Sequence, residues 1–294
     1  MISISAHQRR RHQLRQSVQG PILLLGVGQQ ARNLPMNHLP FRQDSTFLYY
    51  TGCTTPNAAL LIYRDEEFLF LPSAPPDDEL WHGPTPSLSE RAAALGFEQA
   101  IPTSELSSVC QRIVGDQPLK TLAISDPKGN QLLQSITGQP HIFGQKNGSN
   151  ELIEAVIKQR RVLEDEEFDE LRGAMKHTKQ AHLAAMECTR PGGTEQEVAW
   201  AFESTIRQHG LDLAYQSIVT VDGHILHNHS THNTLQSGQL LLLDGGAEAR
   251  SGYATDITRT WPVSGAFTGR QRAAYDAVLE SQLAAINLLR PGTR

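Results

Sequence analysis

The sequence has few cysteines and no long apolar run. Its three cysteines, Cys53, Cys110 and Cys188, are widely spaced and odd in number. This pattern indicates neither a disulfide framework nor a Cys-x-x-Cys metal site. It suits a reducing compartment, so we expect a cytoplasmic protein. No apolar run approaches the roughly 18 residues that a membrane-spanning helix needs, and the N-terminus shows no apolar core of a secretory signal.

The sequence also lacks a strong excess of charge. Its formal net charge is −5, and its lysines and arginines are scattered along the chain. Binding to nucleic acid or to a membrane surface calls for a basic patch, so we expect neither kind of partner. The one basic cluster, Arg9-Arg10-Arg11, lies in a polar helix candidate and is predicted to face solvent.

Motifs of several enzyme classes are missing as well. The chain has no Gly-x-Ser-x-Gly elbow, no His-Glu-x-x-His pair and no Walker loop. Nucleophilic hydrolysis by serine or cysteine therefore has no support. Gly26-Val27-Gly28 lacks the full spacing of a dinucleotide-binding fingerprint and is predicted to be a strand-end turn. The chemistry that remains is hydrolysis by metal-activated water.

The length and pattern of the chain indicate two domains. At roughly 150 residues per domain, a chain of 294 residues holds two. Helix and strand signals alternate through the first half, which predicts an α/β domain. The polar, glycine-containing stretch 144–150 is the predicted boundary. The predicted domains are therefore residues 1–150 and residues 151–294.

Two amphipathic helices open the second half. Apolar residues recur every three or four positions from Phe168 to Cys188, which predicts one buried helical face. His182 lies in this stripe, where a core histidine is favoured over a metal ligand. Thr194 and Glu197 have the spacing of a capping box, so a second helix is predicted to begin there. Strands are predicted at 217–221, 225–229 and 239–244.

Two aspartates, Asp244 and Asp256, lie twelve positions apart (256 − 244) in the most informative stretch. Each lies in or beside an apolar, β-prone run, and glycines interrupt the sequence between them. This pattern predicts two strands joined by a hairpin-like connection. Carboxylates that face one buried point repel each other, so one takes up a proton or a cation lies between them. Oxygen ligands favour Mn²⁺, Mg²⁺ or Ca²⁺. For the pair taken alone, the favoured interpretation is that both residues cap turns, because aspartate is a common turn residue, and the metal site is the alternative.

A histidine cluster, His224-Ile225-Leu226-His227-Asn228-His229-Ser230-Thr231-His232, precedes the aspartates. Histidines two positions apart on a strand share a face and can bind a transition metal. No cysteine or further histidine elsewhere completes an obvious zinc set. The favoured interpretation is that one of these histidines acts as a proton donor beside a carboxylate metal site.

A short pattern occurs twice in the second half. Arg190-Pro191-Gly192 follows the first helix, Arg290-Pro291-Gly292 follows a helix predicted at 270–289, and a threonine comes soon after each. Packed repeats bury each other's apolar faces. We therefore expect that a second copy of the helix-and-strand unit begins here and is cut off at Arg294. The absent half is then expected to leave apolar surface uncovered.

At these residues the chain resembles aminopeptidase P (Xaa-Pro aminopeptidase), a metallopeptidase family whose pita-bread fold is shared by prolidase, methionine aminopeptidase and creatinase. Residues 244–248 with 252–265 are similar to its first metal-binding segment. Residues 41–52, with Arg42-Gln43-Asp44-Ser45, are similar to the hallmark of its N-terminal domain, and Ile225-Leu226-His227 to the segment with its active-site histidine. The implied fold class is an α/β N-terminal domain plus an incomplete α+β pita-bread domain, the first half of a pseudo-symmetric repeat.

The resemblance implies a metallo-exopeptidase that releases the N-terminal residue from peptides with proline in second position. Asp244 would hold one metal ion and Asp256 would bridge two, with Mn²⁺ as the implied metal. His227 would orient the substrate or donate a proton near the scissile bond. Homo-oligomers are also implied, in which N-terminal-domain residues such as Trp81 reach a neighbour's active site.

The family needs a further histidine and two glutamates from the second half of the pita-bread domain. The sequence stops at Arg294 without them, so we expect the chain itself to be inactive or to bind metal very weakly. Two alternatives stay open. One is a non-catalytic binding or scaffold protein with half a pita-bread domain. The other keeps the fold with another substrate, as in a prolidase-like dipeptidase or creatinase.

Overall fold

The computed structural model of the protein describes residues 2–145 and 149–293. The chain divides into two compact units, Met1–Phe168 and Asp169–Arg294, each with its own sheet and apolar core. The predicted domain boundary, between residues 150 and 151, stays a prediction. Part of the stretch 144–150 that suggests it, residues 146–148, lies outside the described residues.

The first unit contains a five-stranded sheet. Its elements are α1 (Ile4–Ser17), β1 (Ile22–Leu25), α2 (Ser45–Thr51), β2 (Ala59–Tyr63), β3 (Glu66–Leu71), α3 (Asp78–His82), α4 (Leu88–Ala93), β4 (Ala100–Pro102), the 3₁₀ helix Thr103–Glu105, α5 (Leu106–Val114), β5 (Lys120–Thr121), α6 (Pro127–Thr137) and α7 (Asn150–Arg160). The predicted alternation of helices and strands in this half is confirmed.

The sheet of the first unit has the order β4-β3-β2-β1-β5. β1 pairs antiparallel with β2, and parallel with β5. Because successive side chains of a strand point to opposite faces, Ile22 and Leu24 enter one apolar cluster while Leu23 and Leu25 enter another. A continuous apolar run is what a strand covered on both faces requires.

The hallmark segment 41–52 follows β1 along the chain and contains α2. The Val27 N–H donates to Oε1 of the buried Gln43 at 2.8 Å. A Cβ at Gly26 would lie 2.8 Å from that same Oε1, so glycine leaves the room that Gln43 needs. Asp44 caps α2 by accepting a hydrogen bond from the Thr46 N–H at 2.9 Å. Gly26-Val27-Gly28 follows the end of β1, as the sequence predicts, but it forms no turn: its backbone continues alongside Ala58 and Asn57.

In the basic cluster Arg9-Arg10-Arg11, Arg9 faces solvent as the sequence predicts, whereas Arg10 and Arg11 do not. Arg10 is 0% exposed and Arg11 is 1% exposed. Arg10 Nη2 lies 3.3 Å from Glu164 Oε2, and Arg11 Nε donates to Glu67 Oε2 at 2.7 Å. Both guanidinium groups also stack on aromatic rings. The prediction was wrong because these partners come from segments distant in sequence, which the pattern of α1 alone does not reveal.

The second unit pairs two long helices with short strands. Its elements are α8 (Asp165–Cys188), which begins just before the division, α9 (Glu195–Gln208), β6 (Asp212–Leu213), β7 (Ile218–Thr220), β8 (Leu240–Gly245), β9 (Ala247–Glu248), β10 (Ile257–Pro262) and α10 (Gly269–Leu288). β10, β8 and β7 form an antiparallel sheet in that order, and β6 pairs with β9. The helices predicted from the sequence and the strands at 217–221 and 239–244 are confirmed.

One apolar cluster joins α8, α9 and the sheet of the second unit. Ala181 and Ala185 pack with Phe202 of α9 and Leu243 of β8. His182 is buried, and its ring meets the Phe202 ring edge-on with 5.1 Å between centroids. The predicted core histidine is confirmed.

The apolar faces of α8 and α10 are less buried than this core. Phe168 and Met175 are 44% and 42% exposed, so the predicted stripe of α8 is buried only in part. No residue of α10 is buried by the described part of the chain. Val278 and Ile286 are 70% and 53% exposed, which confirms the expected uncovered apolar surface.

Candidate metal centre

Asp244 and Asp256 lie on the same side of the β8–β10 pair. The strands are antiparallel, with Asp244 opposite Thr258. Asp256 precedes Thr258 by two positions, and residues two apart in an extended segment point to the same face. The predicted hairpin-like geometry is confirmed, and it brings the two carboxylates to one place.

Gly246 permits a close crossing of the chain between the two aspartates. A Cβ at this position would lie 1.7 Å from the backbone carbonyl oxygen of Thr255. No side chain fits at that distance, so only glycine allows the approach. The crossing puts Thr255, the residue before Asp256, beside the segment that follows Asp244.

Two buried threonine hydroxyls fix this crossing. Thr255 Oγ1 lies 2.6 Å from Thr178 Oγ1, and either group can be the donor. The Ala247 N–H donates to Thr255 Oγ1 at 3.0 Å and lies 3.2 Å from Thr178 Oγ1. Thr178 and Thr255 are 0% and 5% exposed. Because water does not compete for buried groups of this kind, the hydrogen bonds hold the backbone next to Asp256 in place.

Tyr215 links the two carboxylates directly. Its Oη lies 2.5 Å from Asp244 Oδ1 and 2.8 Å from Asp256 Oδ1. A phenol carries one proton, so it donates to one carboxylate at a time. Tyr215 and Asp244 are half-buried, whereas Asp256 is exposed. The carboxylates therefore converge on one point that ions from solvent can reach.

Nothing in the sequence pattern singles out Tyr215. It precedes β7, whose Ile218 pairs opposite Asp244, and this pairing brings the phenol to the aspartates. The signal that could identify Tyr215 is its position: it carries a hydroxyl and lies just before β7, the strand that pairs with the Asp244-bearing strand β8. Burial, followed by the hydrogen bonds to both carboxylates, raises the pKa of Tyr215 above its ordinary value of 10.0. The hydroxyl therefore remains a donor at neutral pH.

The chemistry of the two aspartates fits a divalent cation. Carboxylate oxygens are ligands that Mn²⁺ and Mg²⁺ prefer, and both carboxylates face a single small group, the Tyr215 hydroxyl. Within residues 2–145 and 149–293, no group of three or more histidine, cysteine, aspartate or glutamate side chains is arranged to hold a metal. Asp244 and Asp256 are therefore two candidate ligands that no third such side chain joins among the described residues.

His227 lies in a different environment. It is exposed and belongs to a run of turns, so the strand predicted at 225–229 is wrong. The apolar residues of that segment have no core to face, since Ile225 and Leu226 are 48% and 82% exposed. The structure brings Asp244 and Asp256 together. Within the described residues, His227 joins them in no metal-holding group.

Comparison with known proteins identifies the class of this fold. Residues 7–122 match the model of the aminopeptidase P N-terminal domain, and residues 169–294 match metallopeptidase family M24. The chain therefore has the N-terminal domain and part of the pita-bread domain, as the resemblance implies.

Individual relatives narrow the class to one family. Xaa-Pro aminopeptidase of Escherichia coli is 30% identical over 311 residues, covering 99% of this chain and 69% of that protein. A probable Xaa-Pro aminopeptidase of Aspergillus fumigatus is 33% identical over 267 residues, covering 87% of this chain and 56% of that protein. The low-pH structure of E. coli aminopeptidase P matches with a TM-score of 0.88 at 29% identity, covering 99% of this chain and 70% of that one. The chain belongs to the aminopeptidase P (Xaa-Pro aminopeptidase) family.

The chain spans 56% of the length of the A. fumigatus relative and 69% of the E. coli one. Throughout the described residues, every helix is too short or too polar to cross a bilayer.

Proposed function

We propose that this chain forms part of a metal-dependent aminopeptidase that releases the N-terminal residue from peptides with proline in second position. The convergence of Asp244 and Asp256 on Tyr215 Oη carries the proposal. The names of the E. coli and A. fumigatus relatives, both Xaa-Pro aminopeptidases, support the substrate class. The activity is proposed for the complete catalytic domain, to which these residues contribute one wall of the site.

The proposed cofactor is a pair of divalent ions, with Mn²⁺ as the metal. Asp244 would hold one ion and Asp256 would bridge both through their carboxylate oxygens. A structure of E. coli aminopeptidase P is zinc-substituted and bound to product, which supports a divalent-metal site in this family. Such ions supply a water of lowered pKa as the nucleophile.

Two side chains of this unit would assist. Tyr215 would keep the carboxylates oriented, because its protonated hydroxyl reaches both of them. His227 would orient the peptide or donate a proton near the scissile bond. Its exposed position suits contact with a peptide that arrives from solvent.

The proposed partners and compartment follow the same resemblance. The substrate is a proline-containing peptide, and the assembly is a homo-oligomer in which Trp81, 78% exposed on α3, reaches a neighbour's active site. We expect no nucleic-acid or membrane partner. Cys53, Cys110 and Cys188 are unpaired thiols, which supports a reducing compartment such as the cytoplasm.

The test is release of the first residue from an Xaa-Pro tripeptide in the presence of Mn²⁺. The 294-residue chain is compared with the same chain fused, after Arg294, to the C-terminal segment of E. coli Xaa-Pro aminopeptidase that lies beyond the matched region. We expect cleavage by the fusion, none by the chain alone, and none by the fusion carrying Asp256→Asn. If the fusion does not fold, the natural coding sequence downstream of Arg294 takes its place.

Two outcomes would overturn the proposal. A folded, Mn²⁺-binding fusion that leaves the tripeptide intact would favour the non-catalytic scaffold. Cleavage of Xaa-Pro dipeptides alone would favour a prolidase-like dipeptidase.

A further inference from the structure

Glu195, the first residue of α9, is buried beneath the segment that carries His227. Its exposure is 0%. We call residues 221–233 the histidine loop; no helix or strand lies within it, and residues 223–227 at its centre are exposed. Buried carboxylates are costly unless several donors satisfy them, so the surroundings of Glu195 indicate what it does.

Three N–H groups from opposite ends of the histidine loop donate to this one carboxylate. At the start of the loop, the Val221 N–H donates to Glu195 Oε1 at 2.8 Å. At its end, the Asn233 N–H donates to Oε2 at 3.1 Å and the Asn233 Nδ2 donates to Oε1 at 3.0 Å. The Glu195 N–H completes the set by donating to the Asn233 carbonyl oxygen at 3.1 Å.

This arrangement requires a carboxylate. An ionised carboxylate only accepts hydrogen bonds, whereas an amide of the same shape brings two donors of its own. In a Glu195→Gln variant, the new NH₂ group would face at least one of the three N–H groups. The position of Glu195 at the N-terminus of α9 also offsets its charge, because the partial positive charge of a helix lies at that end.

Other contacts also hold the two ends of the loop. The end near Asn233 is tied by backbone bonds, such as Leu235 N–H to the Gly193 carbonyl oxygen at 2.8 Å. The start continues directly from β7, and Asp222 Oδ2 accepts a hydrogen bond from Asn233 Nδ2 at 3.0 Å. Glu195 adds the bonds that attach both ends to the first turn of α9.

We propose that Glu195 is a positioning residue that closes the histidine loop and thereby sets where His227 is presented. The proposal rests on the proposed function in one respect, the role of His227 in the reaction. Closing a loop at both ends lowers the number of conformations open to the residues between them. The hydrogen bonds of the Glu195 carboxylate go to Val221 and Asn233, and not to the segments that carry Asp244 and Asp256.

The test is hydrogen–deuterium exchange in the 294-residue chain and its variants, without metal or substrate. Glu195→Gln should raise exchange in residues 221–233 about tenfold, the effect of losing a buried hydrogen-bonded group. Exchange in β8 and α8 should stay unchanged. The matched control is Glu197→Gln. It removes a charge in the same helical turn. Glu197 accepts a hydrogen bond from the Thr194 N–H, however, and makes none with a residue of the histidine loop.

A second variant keeps the proposal falsifiable if Glu195→Gln fails to fold. Asn233→Ala removes the Nδ2 group, which donates to Glu195 Oε1 and to Asp222 Oδ2, and leaves the two backbone N–H donors to Glu195 in place; it should also raise exchange in the loop. Unchanged loop exchange in the folded variants would overturn the proposal, and so would a uniform rise across the second unit. In the fusion enzyme, Glu195→Gln should lower kcat while leaving Mn²⁺ affinity unchanged. Because the exchange result does not depend on catalysis, failure of the proposed function would leave it standing.

Discussion

The aspartate hairpin and the histidine loop carry the proposed catalytic groups of the second unit, and they are built in opposite ways. The hairpin has regular strand pairing, a crossing that only Gly246 permits, and buried hydroxyls beside Asp256. The histidine loop has turns, exposed apolar side chains, and its firmest contacts at its ends.

The difference matches the two tasks. A metal ligand must be held in one geometry before the ion arrives, because disorder in the ligands weakens binding. A residue that meets peptides of varying sequence benefits from some freedom, and loops are where such residues are commonly found. We therefore expect substitutions in the hairpin to cost more stability than substitutions in the loop.

The largest effect is expected at the crossing of the hairpin. Gly246→Ala forces a Cβ to within 1.7 Å of the Thr255 carbonyl oxygen, so the backbone must move. We expect a loss of about 3 kcal/mol or more in the free energy of unfolding, measured by urea denaturation. The matched control is Gly173→Ala in α8, where a Cβ has nothing within 4 Å; it should stabilise by about 0.5–1 kcal/mol. Equal effects at both glycines would contradict the close crossing.

The next effect is expected at the buried hydroxyls. Thr255→Val keeps the shape but removes contacts to Thr178 Oγ1 and the Ala247 N–H, so it should cost about 1–3 kcal/mol. Thr255→Ser retains the hydroxyl and should recover most of that loss. The comparison variant is Thr189→Val, which loses a hydroxyl bonded to Trp261 Nε1 at 3.0 Å. A serine variant as unstable as the valine variant would refute the role of the hydroxyl.

A smaller effect is expected at Tyr215. Tyr215→Phe removes the donor shared by both aspartates. Water can reach the exposed Asp256 and take over, so the expected loss is about 1 kcal/mol. Tyr275→Phe on the exposed helix α10 is the control and should leave urea denaturation unchanged. A Tyr215→Phe variant as stable as the original chain would show that the phenol does not hold the carboxylates.

The smallest effect depends on pH and separates the buried His182 of α8, which packs beneath the aspartate hairpin at the Gly245 carbonyl oxygen, from the exposed His227 of the histidine loop. Burial lowers the pKa of His182 below 6.5. As pH falls through that value, the unfolded chain takes up a proton that the folded chain resists, so stability declines. His182→Phe should flatten this decline in denaturation curves recorded from neutral to acidic pH. His227→Gln should preserve it and change stability by less than about 0.5 kcal/mol. If the free energy of unfolding declined with pH at the same slope in both variants, the result would argue against a buried His182.

The sequence predicts the hairpin well for a physical reason. Continuous apolar runs, glycines between them and two spaced aspartates are local features, and strand pairing follows from them. The capping box at Thr194 is local in the same way, and both of its hydrogen bonds are present. The metal-binding roles of Asp244 and Asp256 stay proposals, because the described residues hold no complete ligand set.

The missed features depend on contacts between distant segments. Tyr215 meets Asp256 across 41 positions of sequence. Arg10 and Arg11 are buried because they pair with carboxylates that are distant in the sequence. The segment 225–229 has apolar residues at strand-like density, yet no partner strand pairs with it among the described residues. Local pattern does not report any of these pairings.

Anomalous diffraction from crystals of the fusion enzyme soaked in Mn²⁺ tests the central claim most directly. If the aspartate hairpin is one preformed wall of a divalent-metal site, the anomalous difference map should show a peak between the carboxylates of Asp244 and Asp256. Crystals of the Asp256→Asn variant, soaked identically, should show none there. A peak in both crystals, or Mn²⁺ bound elsewhere on the chain with none between these carboxylates, would contradict the claim.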